Sequence, residues 1–86
     1  MDIFFRPKFE KRFKKLSREI QKLVEERIKI FINDPFDSRL KTHKLHGKFE
    51  EYFSFSINNK YRIIFYYTEN DKDVKFYSIG THDIYE

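Results

Sequence analysis

No cysteine occurs anywhere in the chain, which excludes a disulfide framework and any thiolate metal site. Glycine and proline are almost as scarce, with two of each, and Pro7, Pro35, Gly47 and Gly80 are too dispersed to form a linker. Internal repeats and low-complexity segments are lacking as well. No apolar run approaches the length that spans a membrane, and segment 1–6 turns charged too early for a secretory leader. A soluble, cytoplasmic protein with no membrane partner is therefore expected. The 86 residues suffice for a single domain, 1–86, which would hide only about 60% of the surface of its unfolded chain.

Large side chains compensate for the short length: there are eleven Phe and six Tyr. Charge is also abundant but unevenly spread. Residues 1–49 carry fourteen Lys/Arg against seven Asp/Glu, a balance of +7, whereas residues 50–86 carry four against seven, a balance of −3. A basic first half suits a polyanion or an acidic protein partner.

Hydrophobic spacing divides the chain into elements. Ile3, Phe4 and Phe5 read as a short strand, after which Pro7 can open a helix because its missing N–H would be unsatisfied there anyway. Phe9, Phe13, Leu16 and Ile20 follow at helical spacing. Ser17 is a candidate N-cap for a second helix that buries Ile20, Leu23, Val24, Ile28, Phe31 and Ile32 and stops at "NDP" (33–35). Residues 34–48 read as a polar loop containing Arg39, Lys41, Lys44 and Lys48, with no acid after Asp37.

From Glu50 the period changes to two, with Phe53, Phe55 and Ile57 alternating with Tyr52, Ser54 and Ser56. Strands are predicted here, over 61–67 and over 74–79, with turns at "NN" (58–59) and "ENDKD" (69–73). The order β-α-α-β-β-β predicts an α+β fold, a helical hairpin on one face of a four-stranded, mostly antiparallel sheet whose other face is open. A two-residue turn at 58–59 would set Arg62 among Phe53, Phe55 and Ile57. An odd-length turn with a bulge sets Arg62 beside Ser54 and Ser56 and lets Tyr61, Ile63 and Phe65 pack under the helices. The apolar balance favours the second, giving an open face with Tyr52, Ser54, Ser56, Arg62 and Tyr66.

The segment "HKLHGKFEEYFSFSINNKYRIIFYY" followed by "VKFYSIGTHDIY" resembles the RelE/ParE toxin superfamily, and within it the YafQ-like branch of ribosome-dependent mRNA endonucleases. The shared pattern is a His-x-Leu-x-Gly loop, a Tyr-Arg-Ile-Ile strand and an Ile-Gly-Thr-His segment ending in an aromatic residue. The resemblance implies a type II toxin that cleaves mRNA on the ribosome without metal or other cofactor and is inhibited by a cognate antitoxin. Position by position, it implies catalytic roles for His43, Arg62, His82 and Tyr85. In YafQ-like nucleases the positions of Ser56 and Lys60 tend to carry further polar catalytic groups, so the resemblance implies either a less active cleft or proton chemistry that rests on His43 and His82.

That chemistry is coherent in its own terms. Cleavage through a 2′-hydroxyl needs a base, an acid and charge stabilisation. Histidine suits either proton role near neutrality, and a guanidinium supplies fixed, bidentate charge to phosphate. Tyr85 can stack on a splayed base, while Lys41, Lys44 and Lys48, with Ser54 and Ser56, are expected to contact the RNA. His43, His46 and His82 could in number ligate zinc, but two loop histidines without a nearby carboxylate argue against it, so His46 reads as peripheral. The alternatives are a ParE-like, non-enzymatic inhibitor of DNA gyrase and a degenerate toxin that binds only antitoxin or RNA.

Overall fold

The computed structural model describes residues 1–81. The elements are β1 (Ile3–Phe5), α1 (Pro7–Lys14), α2 (Arg18–Asn33), β2 (His43–Lys44), β3 (Phe53–Ser56), β4 (Arg62–Tyr67) and β5 (Val74–Gly80), with short 3-10 turns at Ser38–Leu40 and Gly47–Phe49. They build an α+β fold with the predicted element order, but the sheet has five strands, ordered β1-β5-β4-β3-β2. The additional strand is β2, two residues of the expected loop 34–48 that pair antiparallel with β3, His43 opposite Ser54 and Lys44 opposite Phe53. It is too short to leave a period in the sequence. The other edge, β1, runs parallel to β5 and is held there by the Asp2 N–H, which donates to Asp73 Oδ1 at 2.8 Å.

Helix α1 opens on Pro7. Helix α2 opens on Ser17, whose Oγ accepts from the Ile20 N–H at 3.2 Å and satisfies one of the unpaired donors of the first turn. Ser17→Ala is expected to cost about 1 kcal/mol, visible as a lower urea midpoint at unchanged denaturant slope.

The helices pack on one sheet face through an aromatic core. The Phe31 ring stacks on Phe55 with centroids 4.8 Å apart and meets Phe65 and Phe76 edge-on at 4.9 and 5.4 Å. Val24, Phe31, Phe55, Ile63, Phe65 and Phe76 are fully buried, and each such aliphatic or aromatic side chain contributes on the order of 1.5–3 kcal/mol of transfer free energy. Ile20, Leu23 and Ile28 pack partly buried at its rim. Ile32, expected in the core, is instead 53% exposed; Ile30 packs there.

The β3–β4 connection has the predicted odd length. Ser56 pairs with Arg62 and Phe55 with Ile63, leaving residues 57–61 as the turn. Asn58 Oδ1 accepts from the N–H groups of Lys60 and Tyr61, the local bonding that makes Asn a turn former. The Ile57 and Asn58 N–H groups both donate to the Tyr61 carbonyl, at 2.9 and 3.4 Å, so two residues face one and the turn is bulged as expected. A second bulge lies one strand over, in β5, where Ile64 pairs with Ser78 but Phe65 with Phe76, so that Tyr77 is the extra residue. The bulge keeps both Phe76 and Ile79 in the core under the helices.

The second sheet face is not open along its whole length. Gly47 adopts φ +71, a conformation that favours glycine, and the chain doubles back so that the Leu45 N–H donates to the Tyr52 carbonyl at 2.9 Å. Leu45 and Ile64 then form a second small core with Phe49, Tyr52 and Tyr77 packed on it. Among the described residues, no helix is long and apolar enough to cross a membrane.

Candidate functional site

The β3–β4 register decides where the strand arginine lies. Because Ser56 is directly opposite Arg62, the two share a sheet face, and both line a cleft of about 470 Å3 at the end of the sheet. The 57–59 turn contributes to its wall. Arg27 from α2 and Arg39 and Lys41 from the following connection also line it, so that among the described residues the lining holds four cations and no carboxylate.

Arg27 and Arg39 have identifiable side-chain anchors. Arg27 extends Nη1 to the Arg39 carbonyl, donating at 3.2 Å, which ties α2 to the connection. Asp37 caps the Ser38–Leu40 turn by accepting the Arg39 N–H. The same carboxylate accepts Arg39 Nε at 3.0 Å and Nη2 at 2.9 Å, the bidentate fork that guanidinium and carboxylate geometry favours. Lys41 ends the turn in the left-handed region, φ 53.

The Arg39 side-chain bond, followed by the backbone N–H bond, holds the Asp37 carboxyl below its ordinary 3.8, at about 2. A folded value below the unfolded one makes the pair stabilising above the ordinary carboxylate value, and that contribution is lost as pH falls toward 2. A carboxyl-carbon NMR titration is expected to show the Asp37 midpoint near 2, and Arg39→Gln is expected to return it toward 3.8.

His43 lies next to the cleft rather than in its lining. It is exposed on edge strand β2 and shares the face of Ser54, its cross-strand partner, which is also the face of Ser56 and Arg62. Its Nδ1 is 3.0 Å from the Lys41 carbonyl. A carbonyl can only accept, so Nδ1 carries the hydrogen and Nε2 of the neutral ring holds the free lone pair. The ring is thus held in the tautomer that can take a proton at its outer nitrogen.

The other candidates scatter. Ser56 is half-buried in the cleft wall, but Ser54 is only 1% exposed. Ser54 is therefore not on an open surface as expected, because the segment folded back at Gly47 covers the middle of that face. Lys44, opposite Phe53, faces the other side of the sheet from His43. Lys48 sits on the Gly47–Phe49 turn with Nζ 5.5 Å from the centre of the Phe49 ring. Of the three lysines expected to grip RNA together, only Lys41 lines the cleft. Lys60 is exposed in the 57–61 turn, and His46 is exposed ahead of Gly47. His82 and Tyr85 lie outside the described residues.

Arg27 was not singled out in the sequence, although a signal existed. It lies three residues after Val24 and four before Phe31, on the apolar stripe of α2 rather than on its solvent side. An arginine there must extend past the core edge to reach a polar neighbour.

The family model described as "Bacterial toxin of type II toxin-antitoxin system, YafQ" matches residues 1–85. Solved structures with similar folds include YafQ from E. coli strain BL21(DE3), at TM-score 0.79 and 20% identity over 98% of this chain and 96% of that one. A YoeB/ParE toxin from Agrobacterium tumefaciens is similar at TM-score 0.80 and 14% identity, over 95% and 99% of the two chains. The E. coli DinJ-YafQ toxin-antitoxin complex matches at TM-score 0.75 and 21% identity, over 96% and 93%. No functionally curated protein matches the sequence.

Proposed function

Because this chain belongs to the YafQ family of bacterial type II toxin–antitoxin toxins, we propose that it is a metal-independent endoribonuclease. On this reading, residues 1–86 act as one toxin domain in the cytoplasm, cleaving mRNA on the ribosome until a cognate antitoxin neutralises them. The observation that carries this reading is the meeting of Arg62 with three further cations in one cleft, beside a histidine whose Nδ1 faces the Lys41 carbonyl and whose Nε2 is left to take a proton. Such a site attracts a polyanion and concentrates positive charge where a phosphate would gain negative charge.

In the proposed reaction the 2′-oxygen attacks the adjacent phosphorus and the bond to the 5′-oxygen breaks, leaving a cyclic phosphate and a 5′-hydroxyl. His43 and His82 divide the two proton transfers, from the 2′-hydroxyl and to the departing oxygen. Arg62 stabilises the charge on the phosphorane-like transition state, Lys41 and Ser56 hold the backbone, and Tyr85 stacks on or positions a base. The roles of His82 and Tyr85 rest on the sequence resemblance alone. The antitoxin partner is supported by the DinJ-YafQ complex of a similar fold and by the +7 balance of residues 1–49, which suits an acidic segment.

The reading is tested by inducing the wild type without antitoxin beside the double variant His43→Ala/His82→Ala, with transcript ends mapped by primer extension. New 5′ ends within coding sequence in the wild type alone are expected. Arrested growth with intact transcripts would overturn the nuclease assignment, and an accompanying DNA-damage response would point to gyrase.

A further inference from the structure

Arg27 and Arg39 serve neither the proton transfers nor the charge stabilisation assigned to His43, His82 and Arg62, yet both guanidinium groups are brought to the same cleft. A cleft of about 470 Å3 falls within the size range of sites for whole small molecules, not single ions. Asp37 pairs with Arg39, and an anion entering the cleft would further offset the like charges gathered there. From this we infer that Arg27 and Arg39 form a second phosphate subsite, which holds a backbone phosphate of the RNA next to the one that is cleaved. The inference rests on the endoribonuclease reading for its substrate class and extends it to residues that the family resemblance does not reach.

The local bonding suits this role. Asp37 occupies Nε and Nη2 of Arg39, which fixes the plane of the guanidinium and leaves Nη1 and the second hydrogen of Nη2 for a ligand. Arg27 approaches from the helix and commits one donor of Nη1 to the Arg39 carbonyl, so the two guanidinium groups flank one stretch of backbone. Asp37 is thus a positioning residue that acts through Arg39. Arg62, opposite Ser56, covers the cleaved phosphate. The second phosphate would set the register of the strand, because an attacking 2′-oxygen must be in line with the bond that breaks.

The test uses binding of a short RNA with 2′-O-methyl groups throughout, which cannot undergo the attack, so the subsite is measured apart from cleavage. Affinity is followed against salt for the wild type, Arg27→Gln, Arg39→Gln and, as a control with the same change in charge, Lys11→Gln on α1. Each phosphate contact contributes roughly 0.7 to the slope of log affinity against log salt for a single strand. Arg27→Gln and Arg39→Gln are each expected to lower that slope by about 0.7, while Lys11→Gln leaves it unchanged. Equal slopes in all four proteins, or a wild type that does not bind the oligonucleotide, would overturn the subsite.

Asp37→Asn separates positioning from charge. Removing a negative charge beside a phosphate should tighten binding if charge alone matters, but weaken it if Asp37 aims Arg39. Weaker binding that disappears in the Arg39→Gln background supports the assignment; tighter binding in the wild-type background refutes it. Transcript cleavage by the same proteins distinguishes the two failures. A wild type that cleaves normally while Arg27→Gln and Arg39→Gln are indistinguishable from it sinks the subsite but not the nuclease. An oligonucleotide bound through both arginines by a protein that never cleaves sinks the nuclease but not the subsite.

Discussion

Phe31→Ala is expected to remove about 3–5 kcal/mol of folding stability. At about 0.05–0.15 kcal/mol per residue, a chain of 86 residues holds roughly 4–13 kcal/mol in all, so this one truncation consumes about a quarter of it or more. The reason is position rather than size. Phe31 is the point where α2 meets three strands, touching Phe55, Phe65 and Phe76 at once, and none of the three can move inward without leaving its own strand. A cavity there stays largely unfilled, and cavities that cannot collapse are the costly ones. Phe31→Leu keeps most of the volume and is expected to cost markedly less. Denaturant unfolding followed by circular dichroism measures both. A loss below about 1 kcal/mol for the alanine variant would mean that the three-ring contact is not what holds the helix to the sheet.

Arg62→Ala is expected to lower the rate of transcript cleavage by about 10²–10³-fold, the usual loss when one preorganised donor to a developing anion is removed. Arg62→Lys should recover only part of it, because an ammonium is a single point charge and cannot meet two phosphate oxygens at once. The measurement is single-turnover cleavage of a programmed message in a reconstituted translation reaction, with thermal unfolding confirming that both variants fold. A lysine variant as fast as the wild type would reduce the role of Arg62 to non-directional attraction. An alanine variant as fast would remove it from the chemistry altogether. His43→Ala provides the contrast, since it removes the proposed proton-transfer group without altering the cationic lining of the cleft.

Periodicity within a few residues of sequence determined much of this protein. The helix of period 3.6 with its Ser17 cap, the change to period two at Glu50, and the odd-length turn that sets Arg62 beside Ser56 all follow from local spacing and from the cost of pointing Phe53 and Phe55 the wrong way. Family motifs added the candidate residues His43 and Arg62.

Tertiary structure alone decided what depends on segments distant in sequence. The parallel pairing of β1 joins Asp2 to Asp73 across 71 residues, and no local pattern encodes such a contact. Strand β2 is two residues long, too short for alternation to show, and the Tyr77 bulge is felt only when β5 is matched against β4. Ser54 has a surface pattern in its strand, yet it is buried because Gly47 returns Leu45 and Phe49 over that face. The cleft is the clearest case. Arg27, Arg39, Lys41 and Arg62 belong to a helix, a turn, a loop and a strand, and the local spacing of none of them places it beside the other three. Only packing α2 on the sheet through Phe31 brings them within reach of one ligand, because burial of the aromatic core supplies the free energy that holds like charges together.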